Sequence, residues 1–139
     1  VSSLLDKEST DFMAKALSEM EVPPARSAEE LNALAEKDSL FFEGQSIALR
    51  GIPDNGVPAC KACHGTLGEG SAVGPRLAGQ NVMYIKNQFM AFAEGTRQTA
   101  QSVVMLPVVS GLADDEIRAV AYYYSLLAVT SASGSYLDD

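Results

Sequence analysis

The sequence predicts an all-α fold, on the strength of three observations. Apolar residues recur at spacings of three and four in several segments, as they do on the buried face of a helix. Turns rich in proline and glycine separate these segments, and no alternation of useful length indicates a strand. The chain has 139 residues and is 47% hydrophobic, which is enough to bury one core.

An N-terminal helical extension, residues 1–38, is predicted to contain two helices. The first spans about residues 4–20 and carries an apolar stripe. Val22-Pro23-Pro24 ends this helix, because proline lacks the backbone donor that a helix needs. Ser27 and Glu30 have the spacing of a capping box, which predicts the start of the second helix.

The main domain is predicted to occupy residues 39–130, and a flexible tail follows at 131–139. Its first half is expected to hold a helix at 39–50 with Phe41, Phe42 and Ile47 available for burial, a turn at 51–58 and a glycine-rich loop at 65–79. Its second half is expected to hold a helix from the N-cap Asn81 to Gly95, a segment at 102–110 interrupted by Pro107, and a helix at about 114–128 with the inner stripe Ile117, Val120, Ala121, Tyr124 and Leu127.

The charge of the chain argues against nucleic acid as a partner, and its hydropathy argues against a membrane span. With 10 basic and 18 acidic residues, a net charge of −8, the chain has no electrostatic surface for nucleic acid. No run of 18 apolar residues is present that could span a membrane. The extension 1–38 holds nine acids and four bases. Residues 56–113 are slightly basic through Lys61, Arg76, Lys86 and Arg97.

The sequence Cys60-Lys61-Ala62-Cys63-His64 is a C-x-x-C-H motif, which is typical of c-type haem attachment. Both thiols add to vinyl groups on one edge of the porphyrin, so they must lie about one helical turn apart. The histidine after the second cysteine then presents its imidazole to the iron as the proximal ligand. His64 is the only histidine in the chain, which simplifies the assignment.

Other sites also use closely spaced cysteines. A redox-active C-x-x-C of the thioredoxin type expects a preceding strand, and none is predicted before Cys60. A structural zinc site needs four ligands, whereas Cys60, Cys63 and His64 supply only three and the chain has no other cysteine or histidine. Chance would require both cysteines and the sole histidine to coincide within five positions. The motif therefore predicts one haem c, bound covalently through Cys60 and Cys63.

Further motifs follow the pentapeptide in a fixed order. They are Gly65, Gly68 and Gly70, the run 74–80, Tyr84, Gln88 and Phe92, the turn 95–97, Met105, and the helix from Leu112 to Tyr123. In this order they resemble the class I cytochromes c and, more narrowly, one half of the bacterial two-haem cytochromes c. The resemblance covers about residues 39–128 and leaves 1–38 unmatched. One attachment motif, where these relatives have two, predicts a one-haem protein.

The resemblance implies that Met105 is the distal iron ligand, because the family places a methionine in this segment before the last helix. Met13 and Met20 fit the apolar stripe of the first helix, and Met83 and Met90 lie within the 81–95 helix, where packing is the expected role. Packing is also the alternative role for Met105. Ligation by its thioether would favour ferrous iron and fill the second axial position.

The resemblance also implies roles for residues around the haem. The carbonyl of Pro75 is expected to accept a hydrogen bond from the second ring nitrogen of His64, which fixes the imidazole tautomer. Each candidate donor to the haem propionates has a solvated surface position as its alternative. These candidates are Arg76, Gln80, Tyr84 and Arg97.

Two further expectations concern the last helix. The resemblance implies a close crossing of the first and last helices of the domain, with Gly44 against an aromatic residue. Tyr123 matches the family position and the stripe spacing favours Tyr124, so both remain open. Ala113 stands where relatives have a serine N-cap, and Asp114 is the alternative cap.

These features predict an electron carrier, not an enzyme, that exchanges single electrons with redox partner proteins. Haem c is attached outside the cytoplasm, so the resemblance implies a periplasmic chain whose signal peptide has been removed. One alternative is a permanent electron-accepting subunit of a dehydrogenase or oxidase complex. Residues 1–38 motivate it, because an amphipathic arm can pack on a partner or on a second copy, or fold back over its own core. The other is a gas-binding haem protein, against which Met105 argues.

Overall fold

The computed structural model describes residues 6–19, 26–99 and 102–127. The helices in these ranges are α1 (Lys7–Ser18), α2 (Ala28–Lys37), α3 (Ser39–Arg50), α4 (Lys61–His64), α5 (Val82–Ala93), α6 (Met105–Ser110) and α7 (Asp114–Leu126), with 3₁₀ turns at Pro53–Asn55 and Ser102–Val104. The described residues form no strand beyond an isolated bridge between Ile52 and Val57. The predicted all-α fold is confirmed. None of these helices has the length and apolarity to cross a membrane.

The crossing of α3 and α7 forms the centre of the domain. Phe41 and Ala48 of α3 are fully buried, and the ring of Phe41 lies 5.2 Å from that of Tyr123 on α7. Phe42, expected to be available for burial, is half exposed, because it lies next to Phe41 on the helix and points away from α7.

The close approach of α3 and α7 depends on Gly44. A Cβ atom at this position would lie 2.6 Å from the carbonyl carbon of Ala119 and 2.8 Å from Cβ of Tyr123. Both distances are shorter than any normal contact, so only glycine fits without a shift of backbone. The expected crossing is present, and Tyr123 is the aromatic residue that meets Gly44.

All three consecutive tyrosines of α7 are used. Tyr123 and Tyr124 are both buried, so the family position and the stripe spacing each identified a core residue. Tyr122 points elsewhere and donates a hydrogen bond of 2.9 Å to Oδ2 of Asp38. The other oxygen of Asp38 accepts from the backbone of Leu40 and Phe41 and caps α3, and these bonds lower the pKa of the carboxyl.

α5 and α6 complete the domain. Oδ1 of Asn81 accepts from the backbone of Met83 and Tyr84, which confirms the predicted N-cap of α5. Pro107, expected to interrupt the segment 102–110, instead lies within a continuous helix, α6. It is the third residue of α6, where backbone N–H groups have no acceptor within the helix, so the missing donor costs nothing.

The start of α7 differs from expectation. Ala113 is the N-cap residue, and Asp114 is the first residue of the helix. Oε2 of Glu116 accepts from the backbone N–H of Ala113 at 2.7 Å, which is the half of a capping box that needs no side chain at the N-cap. The acidic side chain three residues into the helix therefore replaces the missing serine.

The two helices of the extension behave differently. α2 begins with the expected capping box of Ser27 and Glu30, and its Leu31 and Leu34 pack against the core beside α3. In α1 no residue is buried. The packing role expected for Met13 is wrong, because its side chain is exposed, as are those of Phe12 and Leu17.

The packing role expected for Met83 and Met90 is also wrong, because both side chains are more than half exposed on α5. Met20, the Val22-Pro23-Pro24 stop and the tail at 131–139 lie outside the described residues.

The helix crossing can be tested by replacing Gly44 with alanine. Because the added methyl group meets backbone, we expect the haem-loaded protein to lose roughly 1–3 kcal/mol or more of its free energy of unfolding. Glu43→Ala, at the neighbouring exposed position of α3, is the matched control and should change stability little. Denaturant unfolding measures both. Equal stabilities for the two variants would contradict the close crossing.

Candidate haem-binding site

The attachment motif is folded into a single turn of helix. Cys60 precedes α4, and its carbonyl accepts from the backbone N–H groups of Cys63 at 3.2 Å and His64 at 2.9 Å. The two thiols therefore leave the chain one turn apart, as addition to two vinyl groups on one porphyrin edge requires. Both cysteines are free and partly buried.

His64 is held by a hydrogen bond to the loop that follows it. Its imidazole is buried, and Nδ1 lies 2.7 Å from the carbonyl oxygen of Pro75. A carbonyl only accepts, so Nδ1 carries the proton and Nε2 has a free lone pair. The contact is the one expected between these two residues, and it leaves Nε2 for a metal.

The glycine-rich loop wraps closely around α4. The backbone N–H of Gly70 donates to the carbonyl of His64 at 2.8 Å, and Oγ of Ser71 donates to the carbonyl of Cys63 at 2.6 Å. A Cβ atom at Gly74 would lie 2.5 Å from that same carbonyl oxygen and 3.1 Å from Nδ1 of His64. Ser71 was not identified from the sequence, because a serine in a glycine-rich loop gives no signal of its own.

The far end of the loop is fastened to α7. The carbonyl of Gly68 accepts from the backbone of Leu77 and Ala78, which closes the loop. The N–H of Gly79 donates to the carbonyl of Tyr124 at 2.9 Å. The loop that holds His64 is in this way joined to the crossing of α3 and α7.

Two observations distinguish haem attachment from a redox-active C-x-x-C and from a metal site: the pKa of the Cys60 thiol and the grouping of possible metal ligands. Burial raises the pKa of Cys60 to about 11, so this thiol is neutral near pH 7. Redox-active C-x-x-C sites work through a thiolate of low pKa, which these surroundings do not stabilise. Among the described residues, no group of three or more histidine, cysteine, aspartate and glutamate side chains could hold a metal ion.

Met105 is the first residue of α6, and its side chain is partly buried against the core. The segments that carry Met105 and the His64 loop also carry large apolar side chains that are exposed. These are Leu67, Val73, Val103, Val104 and Leu106. Two thiols, a nitrogen donor and exposed apolar side chains are the groups that attachment of a haem requires, and Met105 offers a thioether as a further ligand.

The four candidate propionate donors are not gathered into one site by protein contacts. The guanidinium of Arg97 donates from Nη1 to Oε1 of Gln88 at 2.6 Å and lies 4.8 Å from the ring centroid of Phe92. Oε1 of Gln80 accepts from the backbone of Asn81. Arg76 and Tyr84 are exposed.

Known proteins similar to the chain were found by sequence and by structure. No family model matches it. Cytochrome c-554(548) of Halomonas halodenitrificans is 39% identical over 70 residues, which are 50% of this chain and 84% of that protein. The thiosulfate dehydrogenase electron acceptor of Stutzerimonas stutzeri is 32% identical over 126 residues, 90% of this chain. The match covers 56% of that protein, so the chain spans little more than half the length of this relative.

A solved structure of a similar protein has the same fold as this chain. The cytochrome c4 structure from Acidithiobacillus ferrooxidans superposes with a TM-score of 0.63 at 29% identity. The superposition covers 90% of this chain and 68% of that one.

The assignment of Met105 is tested by Met105→Ala in the haem-loaded protein. Loss of the thioether ligand should abolish the weak methionine-to-ferric-iron absorption band, lower the reduction potential and allow carbon monoxide to bind the reduced protein. Met90→Ala, at an exposed position of α5, is the control and should keep the band. Retention of the band in Met105→Ala would contradict the assignment and transfer it to another methionine.

Proposed function

Because the chain belongs to the class I c-type cytochromes and binds haem c, we propose that it carries single electrons between redox proteins. The haem supplies one-electron exchange between ferrous and ferric iron. The observation that carries the proposal is the buried His64 imidazole, fixed through Nδ1 to Pro75 and open at Nε2.

The residues of the chain favour electron transfer over catalysis. The Pro75 carbonyl holds one imidazole tautomer and increases its basicity, so Nε2 of His64 is a strong and fixed ligand. If the sulfur of Met105 also binds the iron, the two residues would leave no coordination position for a substrate or gas. This ligand set supports a carrier and disfavours a haem enzyme or gas sensor.

The surface near the site supports transient docking. Leu67 and Val73 lie exposed on the loop that follows α4, and Lys61 and Arg76 are the exposed bases of the same region. Electron-transfer complexes are small and short-lived, and a mainly apolar patch suits them. Most of the negative charge lies outside residues 56–113 and acts only as a weak steering field.

We place the mature protein in the periplasm of a bacterium, the compartment in which haem c is attached and used. Membership of the c-type cytochromes supports this placement, and donors and acceptors in the same compartment follow from it.

Docking through a mainly apolar patch predicts that the rate of electron transfer depends only weakly on salt concentration. Reduction of the haem-loaded protein by its native donor should slow only modestly between low and physiological ionic strength, because screening removes charge steering but leaves apolar contact. Val73→Ser should slow the reaction at both ionic strengths, whereas Lys86→Gln, the control, should not. Stopped-flow kinetics measures all three proteins. A fall of about a hundredfold with salt would show that charge controls the encounter.

The alternatives in which the chain associates permanently, with a redox enzyme or with a second copy, need a packing surface, and α1 offers one. Phe12 and Leu17 of α1 are 72% and 67% exposed, and the charged side chains of this helix form ion pairs of Lys7 with Asp11 and Lys15 with Glu19. A helix this short is marginal in water without a packed face. Both lysines of α1 are paired with acids, so the face has no free cations for an anionic lipid surface and suits a protein surface.

We propose that the apolar face of α1 pairs with a second copy of the chain, since an uncharged face can be self-complementary about a twofold axis. Sedimentation velocity should show a dimer for the haem-loaded protein and a monomer for the double variant Phe12→Gln with Leu17→Gln. Glu8→Gln on the charged side of α1 is the control and should remain dimeric. The haem spectrum should be the same in all. A monomeric unmodified protein would contradict the dimer.

A further inference from the structure

Among the described residues, the hydroxyl of Tyr124 is the one buried side-chain polar group that has no hydrogen-bond partner. Buried tyrosine hydroxyls are normally bonded, because leaving one unsatisfied costs free energy. A phenylalanine would fill the same volume without this cost. The hydroxyl of Tyr124 therefore needs a partner in its immediate surroundings.

The ring of Tyr124 cannot turn to find such a partner. Its side chain is 1% exposed, and the ring of Tyr123 packs against it edge-on at 5.1 Å. On another side Gly68 leaves no room, since a Cβ atom there would lie 2.5 Å from Cε1 of Tyr124. The carbonyl of Tyr124 is also bonded to Gly79, which fixes the backbone. The hydroxyl is held where it is.

The nearby side chain is Cys60, one of the two haem attachment residues. Its thiol lies beside the Tyr124 hydroxyl, and burial is the main reason that the pKa of both groups is raised. Tyr123 and Glu69 also act on Tyr124, but the ring of Tyr123 packs edge-on against it, and the carboxylate of Glu69 is exposed and accepts from the backbone of Leu67. Cys60 is thus the group that can satisfy the hydroxyl.

Haem attachment changes what Cys60 can do. The free thiol is a weak donor and a weak acceptor, but a thioether has no proton and can only accept. Addition of the S–H across a vinyl group forms the S–C bond and places the thiol hydrogen on the neighbouring carbon, with no oxidant needed. After attachment, the only proton between the two groups is that of the Tyr124 hydroxyl.

We propose that the Tyr124 hydroxyl donates a hydrogen bond to Sγ of the Cys60 thioether, and so acts as a positioning residue for the haem. This bond draws electron density from a substituent of the porphyrin. Electron withdrawal favours ferrous over ferric iron, so the bond raises the reduction potential. The inference rests on haem attachment at Cys60 and is independent of the partner with which electrons are exchanged.

Resonance Raman spectra of the full-length reduced haem protein test the bond. Labelling with ³⁴S-cysteine identifies the C–S stretching bands, and exchange into D₂O replaces the hydroxyl proton. We expect one C–S band to shift in D₂O in the unmodified protein and in Tyr122→Phe, whose hydroxyl bonds to Asp38 instead. No C–S band should shift in Tyr124→Phe, and its reduction potential should be lower than that of the other two proteins.

Three results would contradict the hydrogen bond between Tyr124 and Cys60. Absence of any D₂O-sensitive C–S band in the unmodified protein overturns the proposal, even if Tyr124→Phe fails to accumulate with haem. A D₂O shift that persists in Tyr124→Phe also overturns it, because another donor then reaches the sulfur. Altered stability with unchanged C–S bands and an unchanged potential would show that Tyr124 only fills space.

Discussion

A hydrogen bond of 2.7 Å joins Nδ1 of His64 to the carbonyl of Pro75, eleven residues later in the chain. It fixes which ring nitrogen is protonated and therefore which one can bind iron. The bond requires Pro75 to return to α4, and Gly74 allows this return because any side chain there would meet the carbonyl of Cys63. Ser71 holds the same carbonyl from the loop. The glycine-rich loop is thus built around one imidazole.

The loop in turn depends on the core of the domain. Gly79 is bonded to the backbone of Tyr124, and the Tyr124 ring occupies the space that Gly68 leaves open. Tyr124 belongs to α7, which crosses α3 at Gly44. Tight contacts between backbones, made possible by glycine, therefore run from the helix crossing to the proximal histidine. This continuity explains how a small domain can hold an iron ligand in one orientation.

The sequence predicted the features that depend on short motifs in the chain. The helix bounds of α3, the caps at Ser27 and Asn81 and the contact of His64 with Pro75 follow from short-range motifs or from the family pattern. The wrong predictions concern features that depend on how distant parts of the chain pack in space. α1 has the apolar stripe of a packed helix but no buried residue, and Pro107 was tolerated because it lies in the first turn of α6. The sequence could not show that the Tyr124 hydroxyl is buried without a hydrogen-bond partner, because the Tyr124 ring is enclosed by segments that are distant in the chain.

The central proposal is that the haem of this chain would be held at its iron by Nε2 of His64 and by the sulfur of Met105. Proton NMR of the diamagnetic ferrous protein, with methyl-labelled methionine and ¹⁵N-labelled histidine, tests it most directly. The account predicts one methionine methyl signal, assigned to Met105, shifted far upfield by the porphyrin ring current, and a slowly exchanging Nδ1–H on His64. Five methionine methyl signals at ordinary positions, or a His64 bound through Nδ1, would contradict it.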